Sequence, residues 1–153
     1  MLQTVEALVQ DRQADTIITV AASATVAEAV DVMATSKVGA VLVKNEEQLF
    51  AGIFSERDLL ARVVQTGRDP KTTTLSMVMT RDIRFVSPGT TIEAALALMY
   101  VNRFRHLLVI DGPRVYGLIS MRDLVHHLIR RGEGRFEAAV RDAAGTAAPK
   151  QNG

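Results

Sequence analysis

The chain contains its own plan twice. "GIFSERDL" at 52–59 and "GLISMRDL" at 117–124 share five of eight residues in one frame of Gly, Ser, Arg, Asp and Leu. Upstream, "TVAEAVDVMATSKVGAVLV" from Thr25 lies on "TIEAALALMYVNRFRHLLV" from Thr91, which sets Met33 on Met99 at an offset of 66 residues. One residue is lost between "NEEQLFAG" and "DGPRVYG", and the offset becomes 65 through the paired motifs. Such a loss in a hairpin turn leaves strand register intact. A unit of about 55 residues buries too little surface to stand alone, so the two copies are expected to share helix faces and hide one continuous apolar layer.

Each copy reads as β-α-β-β-α. "TIITV" (16–20) and "DIRFV" (82–86) predict its first strand. Val26, Ala29, Val30 and Met33, and in the second copy Ile92, Ala95, Leu96 and Met99, recur at helical spacing and form one apolar face each. Thr25 with Glu28, and Thr90 with Glu93, predict capping boxes at the helix starts, one position out of register between copies. "AVLV" (40–43) with "LFAGIF" (49–54), and "LLVI" (107–110) with "VYGLI" (115–119), predict strand pairs across turns containing Asn45-Glu46 and Asp111-Gly112. A second helix follows, with Leu59, Leu60, Val63 and Val64 in copy one and Leu124, Val125, Leu128 and Ile129 in copy two. The expected fold class is α/β, of the α+β kind. The expected layout is a helical segment at 1–14 (Val5, Leu8 and Val9 apolar), a first repeat at 15–69, a linker at 70–79, a second repeat at 80–131 and a tail at 132–153. Within the linker, "LSMVM" (75–79) predicts a short helical turn; within the tail, 135–144 reads as weakly helical and 145–153 as disordered.

Bulk properties exclude several classes. With 18 basic against 17 acidic residues the formal charge is +1, which is no footprint for nucleic acid. There is no cysteine, and His106, His126 and His127 cannot by themselves build a structural zinc site. The N-terminus lacks a secretory signal and no apolar run approaches the roughly 20 residues that cross a bilayer. A cytoplasmic location, with neither membrane nor nucleic acid as partner, is the expectation. There is no G-x-x-x-x-G-K-[S/T], G-x-G-x-x-G or H-E-x-x-H motif, and no nucleophile, base and orienting group form a recognisable set. Binding without catalysis, with no catalytic cofactor and no metal, is the economical reading.

Ser55-x-x-Asp58 and Ser120-x-x-Asp123 stand where a strand yields to a helix. The bland explanation is a cap, in which the serine accepts from the first turn and the aspartate sits favourably at a positive helix end. The alternative starts from the same geometry. Open helix-start N–H groups favour a phosphate or sugar oxygen, a carboxylate accepts from vicinal hydroxyls, and Arg57 or Arg122 neutralises phosphate. The chemistry alone leaves cap and ribose phosphate site both standing.

The joint pattern resembles the tandem CBS-domain family, the paired regulatory unit called a Bateman module. The residues that carry it are "TVAEAVDVM…GAVLV…GIFSERDL" and "TIEAALALM…RHLLVID…GLISMRDL", preceded by "VMTRDIRFVSP" and covering roughly 15–131. The resemblance implies two repeats with pseudo-twofold symmetry, a central cleft with two adenosine sites, and dimerisation through helices into a disc. It implies AMP, ADP, ATP, NAD or S-adenosylmethionine as ligand and a regulated protein as partner. Asp58 and Asp123 would hold the ribose, and Ser55 and Ser120 would assist at ribose or phosphate. Adenine would meet Ile17, Ile18, Val38 and Gly39 in copy one, and Asp82, Ile83 and Arg105 in copy two.

The copies diverge around the second strand. Arg103, Arg105 and His106 offer phosphate contacts near the second site, and Lys37 a single charge near the first. His106 also reads as a packed strand residue, His126 and His127 as solvent-facing or interface residues, and Arg130 and Arg131 as favourable charges at a helix end. Met77, Met79, Met99 and Met121 read as packing residues. Tyr100 and Phe104 either cover a base or fill a subunit interface. Two functions follow: an adenosine-ligand sensor acting as a homodimer, and a ligand-independent dimeric adaptor.

Overall fold

A computed structural model describes residues 3–10, 17–47, 50–131 and 134–145. Thr16 of the expected first strand, Leu49 of the first hairpin and residues 146–153 of the expected disordered tail lie outside these.

The elements run α1 (Glu6–Val9), β1 (Thr19–Ala21), α2 (Val26–Ser36), β2 (Ala40–Lys44), β3 (Gly52–Ser55), α3 (Glu56–Asp58, continuing as a π-helix over Leu59–Val64) and α4 (Leu75–Val78). Then come β4 (Phe85–Val86), α5 (Ile92–Asn102), β5 (His106–Asp111), β6 (Arg114–Ser120), α6 (Met121–Arg130) and α7 (Gly134–Gly145). Each repeat forms a three-stranded sheet, β1-β2-β3 and β4-β5-β6, with a parallel pair across the helix and an antiparallel hairpin after it. The expected α+β class and the doubled β-α-β-β-α plan are both present. The first strands are shorter than expected; Ile18 and Arg84 still accept from Leu42 and Leu108 just before them.

The shared layer between repeats consists of sheet faces, not the helix faces expected, because each helix pair is already spent on its own sheet. Ala40, Leu42 and Ile53 of the first sheet pack with Leu108 of the second, joined by half-buried Ile17, Phe50, Ile83, Ile110, Val115 and Leu118. On its other face each sheet carries its own helices, with Val26, Ala29, Met33 and Val63 in one core and Ile92, Ala95, Met99 and Leu124 in the other.

The segments ahead of the two repeats are exchanged. Residues 3–9 pack on repeat two: Val5 and Val9 join its core, Thr4 pairs with Thr91, and Ile92 donates to the carbonyl of Gln3. Residues 73–79 do the same on repeat one, where Leu75, Val78 and Met79 join the core and Thr74 pairs with Thr25. "TVEALV" and "TLSMVM" are therefore equivalent, so the repeat reaches further upstream than its β-α-β-β-α part.

This exchange explains the glycine of the motif. A Cβ on Gly52 would lie 2.7 Å from the carbonyl oxygen of Thr80 and 2.8 Å from Sδ of Met79, because residue 80 pairs with Ile53 on the edge of β3. Gly117, its equivalent, has φ +127 and is approached by Ile17.

Three further expectations are corrected. Thr91, not Thr90, caps α5, accepting from Ala94 N at 3.1 Å; with alanine at that third helical position no reciprocal box with Glu93 forms. Thr25 and Glu28 do form the full box on α2. In the second helix of repeat one only Val63 is buried and Leu59 half-buried, while Leu60 and Val64 are 67% and 62% exposed. Four apolar residues in six span more of the helix circumference than one packed face covers. Met77 does not pack either: it is 58% exposed on the outer side of α4.

Candidate functional site

Both Ser-x-x-Asp segments are complete capping boxes. Ser55 Oγ accepts from Asp58 N and the Asp58 carboxylate accepts from Ser55 N at 3.0 Å; Ser120 and Asp123 repeat this, with Asp123 Oδ2 accepting from Ser120 N at 2.7 Å. Extended serines at the strand ends, φ −121 and φ −104, turn each chain into its helix. The cap is thus real in both copies, and the question becomes what else each carboxylate meets.

At Asp58 a hydroxyl from beyond the first repeat joins two groups of its own. Thr80 Oγ1 donates to Asp58 Oδ1 at 2.9 Å, Ser55 Oγ donates to Oδ2 at 3.1 Å, and Arg62 Nε stands 3.5 Å from Oδ1. Arg62 also donates from Nη1 to the carbonyl of Met79 at 2.9 Å, closing the C-terminus of α4. Asp58 is buried. Asp123 is half-buried and lies beside His106, which pairs with Ser120 across β5 and β6.

Thr80, from the segment leading into β4, thus meets the first motif at Asp58, and Ile17, ahead of β1, approaches Gly117 of the second. Val38 follows α2, and Gly39 gives its carbonyl to Glu56 N at 3.0 Å, as Arg105 gives its carbonyl to Met121 N at 2.9 Å. Lys37 and Arg103 are equivalent C-caps with left-handed φ of 56 and 58, both exposed, as are Arg57, Arg105 and Arg122.

Glu56 joins the cleft without having been singled out by sequence. Its carboxylate lies about 3.6 Å from where a Cβ on Gly39 would stand, and it acts electrostatically on His106. Burial pushes the His106 pKa below 6.5; Asp123 and Glu56 oppose that shift and Arg105 adds to it.

Beside the strand entry of repeat two is a cavity of about 410 Å³. Asp82, Ile83, Phe85, Leu98, Asn102 and Phe104 line it. Its size falls in the range of small-molecule sites. Asp82 and Arg84 form an exposed ion pair at 3.0 Å in the same lining. Thr80 and Arg62 were not legible as site residues, since each acts through a neighbour fixed by the exchange of segments.

A duplicated α+β unit with a Ser-x-x-Asp capping box after the last strand of each copy defines the class. The chain belongs to the CBS-domain family: the CBS domain profile matches residues 13–65 and 75–130. Among solved structures, a putative signal-transduction protein with CBS domains from Burkholderia ambifaria MC40-6 superposes with a TM-score of 0.77 at 37% identity, covering 84% of this chain and 95% of that one. A hexameric CBS-CP12 protein from bloom-forming cyanobacteria gives a TM-score of 0.70 at 25% identity over 95% of this chain and 91% of that one. The mitochondrial CBS domain-containing protein CBSX3 of Arabidopsis thaliana is 37% identical over 109 residues, 69% of this chain. This chain spans 53% of that relative and 22% to 25% of several others. CBS-domain proteins are generally regulatory modules that bind adenosine-containing ligands, and those standing alone are generally non-catalytic. No helix among the described residues is long and apolar enough to cross a membrane.

Proposed function

We propose that this chain is a non-catalytic sensor of an adenosine-containing ligand, drawn from AMP, ADP, ATP, NAD and S-adenosylmethionine, and that it passes the signal on by a change of shape. The observation that carries this reading is the crossed site at Asp58: a carboxylate of one repeat beside a strand entry of the other that borders a nucleoside-sized cavity. The Thr80 hydroxyl on Asp58 Oδ1 is the chemical equivalent of a ribose hydroxyl. A ribose diol replaces that bond like for like, and displacing Thr80 moves the segment that joins the repeats. Ser55 and Arg57 then reach the phosphate, with Val38, Gly39 and Lys37 on the same side. The second half-site has Asp123, Ser120 and Arg122, with Arg105 and His106 beside them and Ile17 against Gly117.

The chain acts as a homodimer in this reading. Leu60, Val64, Tyr100 and Val101 are apolar residues on helices and 62% to 81% exposed, more than a solitary module of this size needs to leave open. A cytoplasmic setting and a separate regulated protein complete the proposal. A ligand-free dimeric adaptor is the second reading, favoured by the fact that Asp58 is already satisfied by the protein's own donors.

The test is calorimetric titration of the full chain with all five ligands, repeated on Asp58→Ala and Asp123→Ala. Micromolar binding that Asp58→Ala abolishes supports the sensor; absence of binding by every ligand contradicts it and leaves the adaptor.

A further inference from the structure

The acceptor positions of Asp58 that a ligand would need are taken by the protein itself. Oδ2 accepts from Ser55 N at 3.0 Å and from Ser55 Oγ at 3.1 Å, and Oδ1 accepts from Thr80 Oγ1 at 2.9 Å with Arg62 Nε 3.5 Å away. A carboxylate oxygen offers roughly two lone-pair positions, so little acceptor capacity is left. The side chain is 8% exposed, which gives a ligand no open approach to it while these partners stay.

The partners differ in what their loss undoes. The bonds from Ser55 are the helix cap itself, whereas the Thr80 hydroxyl comes from outside the helix, on the segment that joins the repeats. That hydroxyl is held in place from two sides. Ile53 N donates to the Thr80 carbonyl at 2.9 Å and Thr80 N to the Ile53 carbonyl at 2.8 Å, while Arg62 Nη1 donates to the carbonyl of Met79, one residue earlier, at 2.9 Å. A donor fixed within the same chain competes at high effective concentration with one arriving from solution. Arg62 is no product of the duplication, since its counterpart at the offset of 65 is His127. It stands in the π-helical turn Leu59–Val64, a form that recurs at functional sites.

We propose that Thr80, positioned by Arg62, is an autoinhibitory latch on Asp58 that keeps this half-site closed until a ribose hydroxyl takes its place. This rests on the adenosine-sensor reading and adds to it a built-in threshold: the ligand has to displace a resident hydroxyl, so the half-site binds more weakly than the same carboxylate would without Thr80.

The experiment is calorimetric titration of the full chain with AMP, ATP and their 2′,3′-dideoxy counterparts, in the native protein and in Thr80→Val, Thr80→Ala and Thr80→Ser, with Asp58→Ala marking which binding belongs to this half-site. Thr80→Val keeps the β-branched shape beside β3 and removes only the hydroxyl. It is expected to bind AMP and ATP roughly tenfold more tightly than the native chain, the worth of one hydrogen bond to a charged acceptor. Thr80→Ala is expected to do the same and Thr80→Ser to bind as the native chain does. The dideoxy counterparts, which bring no hydroxyl to Asp58, are expected to gain nothing. Thermal unfolding shows which variants are folded, and Thr80→Ala carries the comparison should Thr80→Val not fold. If the native chain binds but the hydroxyl-free variants bind no more tightly, or if the dideoxy counterparts tighten equally, the latch is overturned while the sensor stands. If neither the native chain nor these variants show binding that Asp58→Ala removes, the sensor reading and this inference fall together.

Discussion

Asp58 is expected to answer mutation by more than the loss of a cap. Its removal also leaves the Thr80 hydroxyl without its acceptor and Arg62 Nε without its partner, which is expected to cost about 3 kcal/mol in all. Urea unfolding of Asp58→Ala measures it; a loss no larger than the about 1 kcal/mol of a helix cap would contradict the network seen around Asp58. Gly52→Ala is expected to cost about 2 kcal/mol, because its methyl group would meet the backbone of Thr80. His106 sets a pH dependence. Its folded pKa lies below the unfolded 6.5 because of burial, so on acidification the unfolded chain takes up the proton first. Stability from this group is full above pH 6.5, falls as pH drops through 6.5 toward the folded value and then levels off. His127, also lowered by burial, contributes with the same sign. Unfolding free energies between pH 5 and 8 are expected to show this slope, and His106→Gln to reduce it. The Ser-x-x-Asp pairs were legible because their chemistry is local. Thr80 and Glu56 were not, since nothing in their own neighbourhood says which remote group they face.

At the scale of elements, the repeats differ most after the motif, where α3 continues as a π-helix and α6 stays α-helical. Arg62, inside the wide turn, binds both Asp58 and the end of α4, whereas its equivalent His127 is bonded to Gln3 at 2.8 Å. Each of these side chains ties a helix to an exchanged segment. Arg62→Ala is expected to loosen residues 75–79, read as faster amide exchange there than in α6; uniform exchange would contradict an anchoring role. The doubled helix-strand pattern was visible because periodicity and hairpin turns are short-range signals. The cap of α5 was misplaced by one residue for the opposite reason. Two adjacent threonines offer the same side chain, and the choice falls to Thr91 because Ile92 N is held by Gln3 from the far end of the chain.

The whole molecule is a pair of sheets face to face, closed by segments that cross from one repeat to the other. The exchange makes the repeats interdependent, and it puts the two halves of each proposed site on different repeats. Sequence could supply the repeat and, through the family pattern, the aspartates; the crossed pairing required knowing where residues 3–9 and 73–79 pack. Dimerisation is tested at this scale by light scattering. The native chain is expected at twice its monomer mass, and Tyr100→Glu with Leu60→Lys at the monomer mass. The most direct measurement of the central claim is amide hydrogen exchange of the full chain with and without saturating ATP. The crossed-site account predicts that protection rises together at 52–58 and at 80–86, segments from both repeats. Protection confined to one repeat, or no change at either segment, would contradict it.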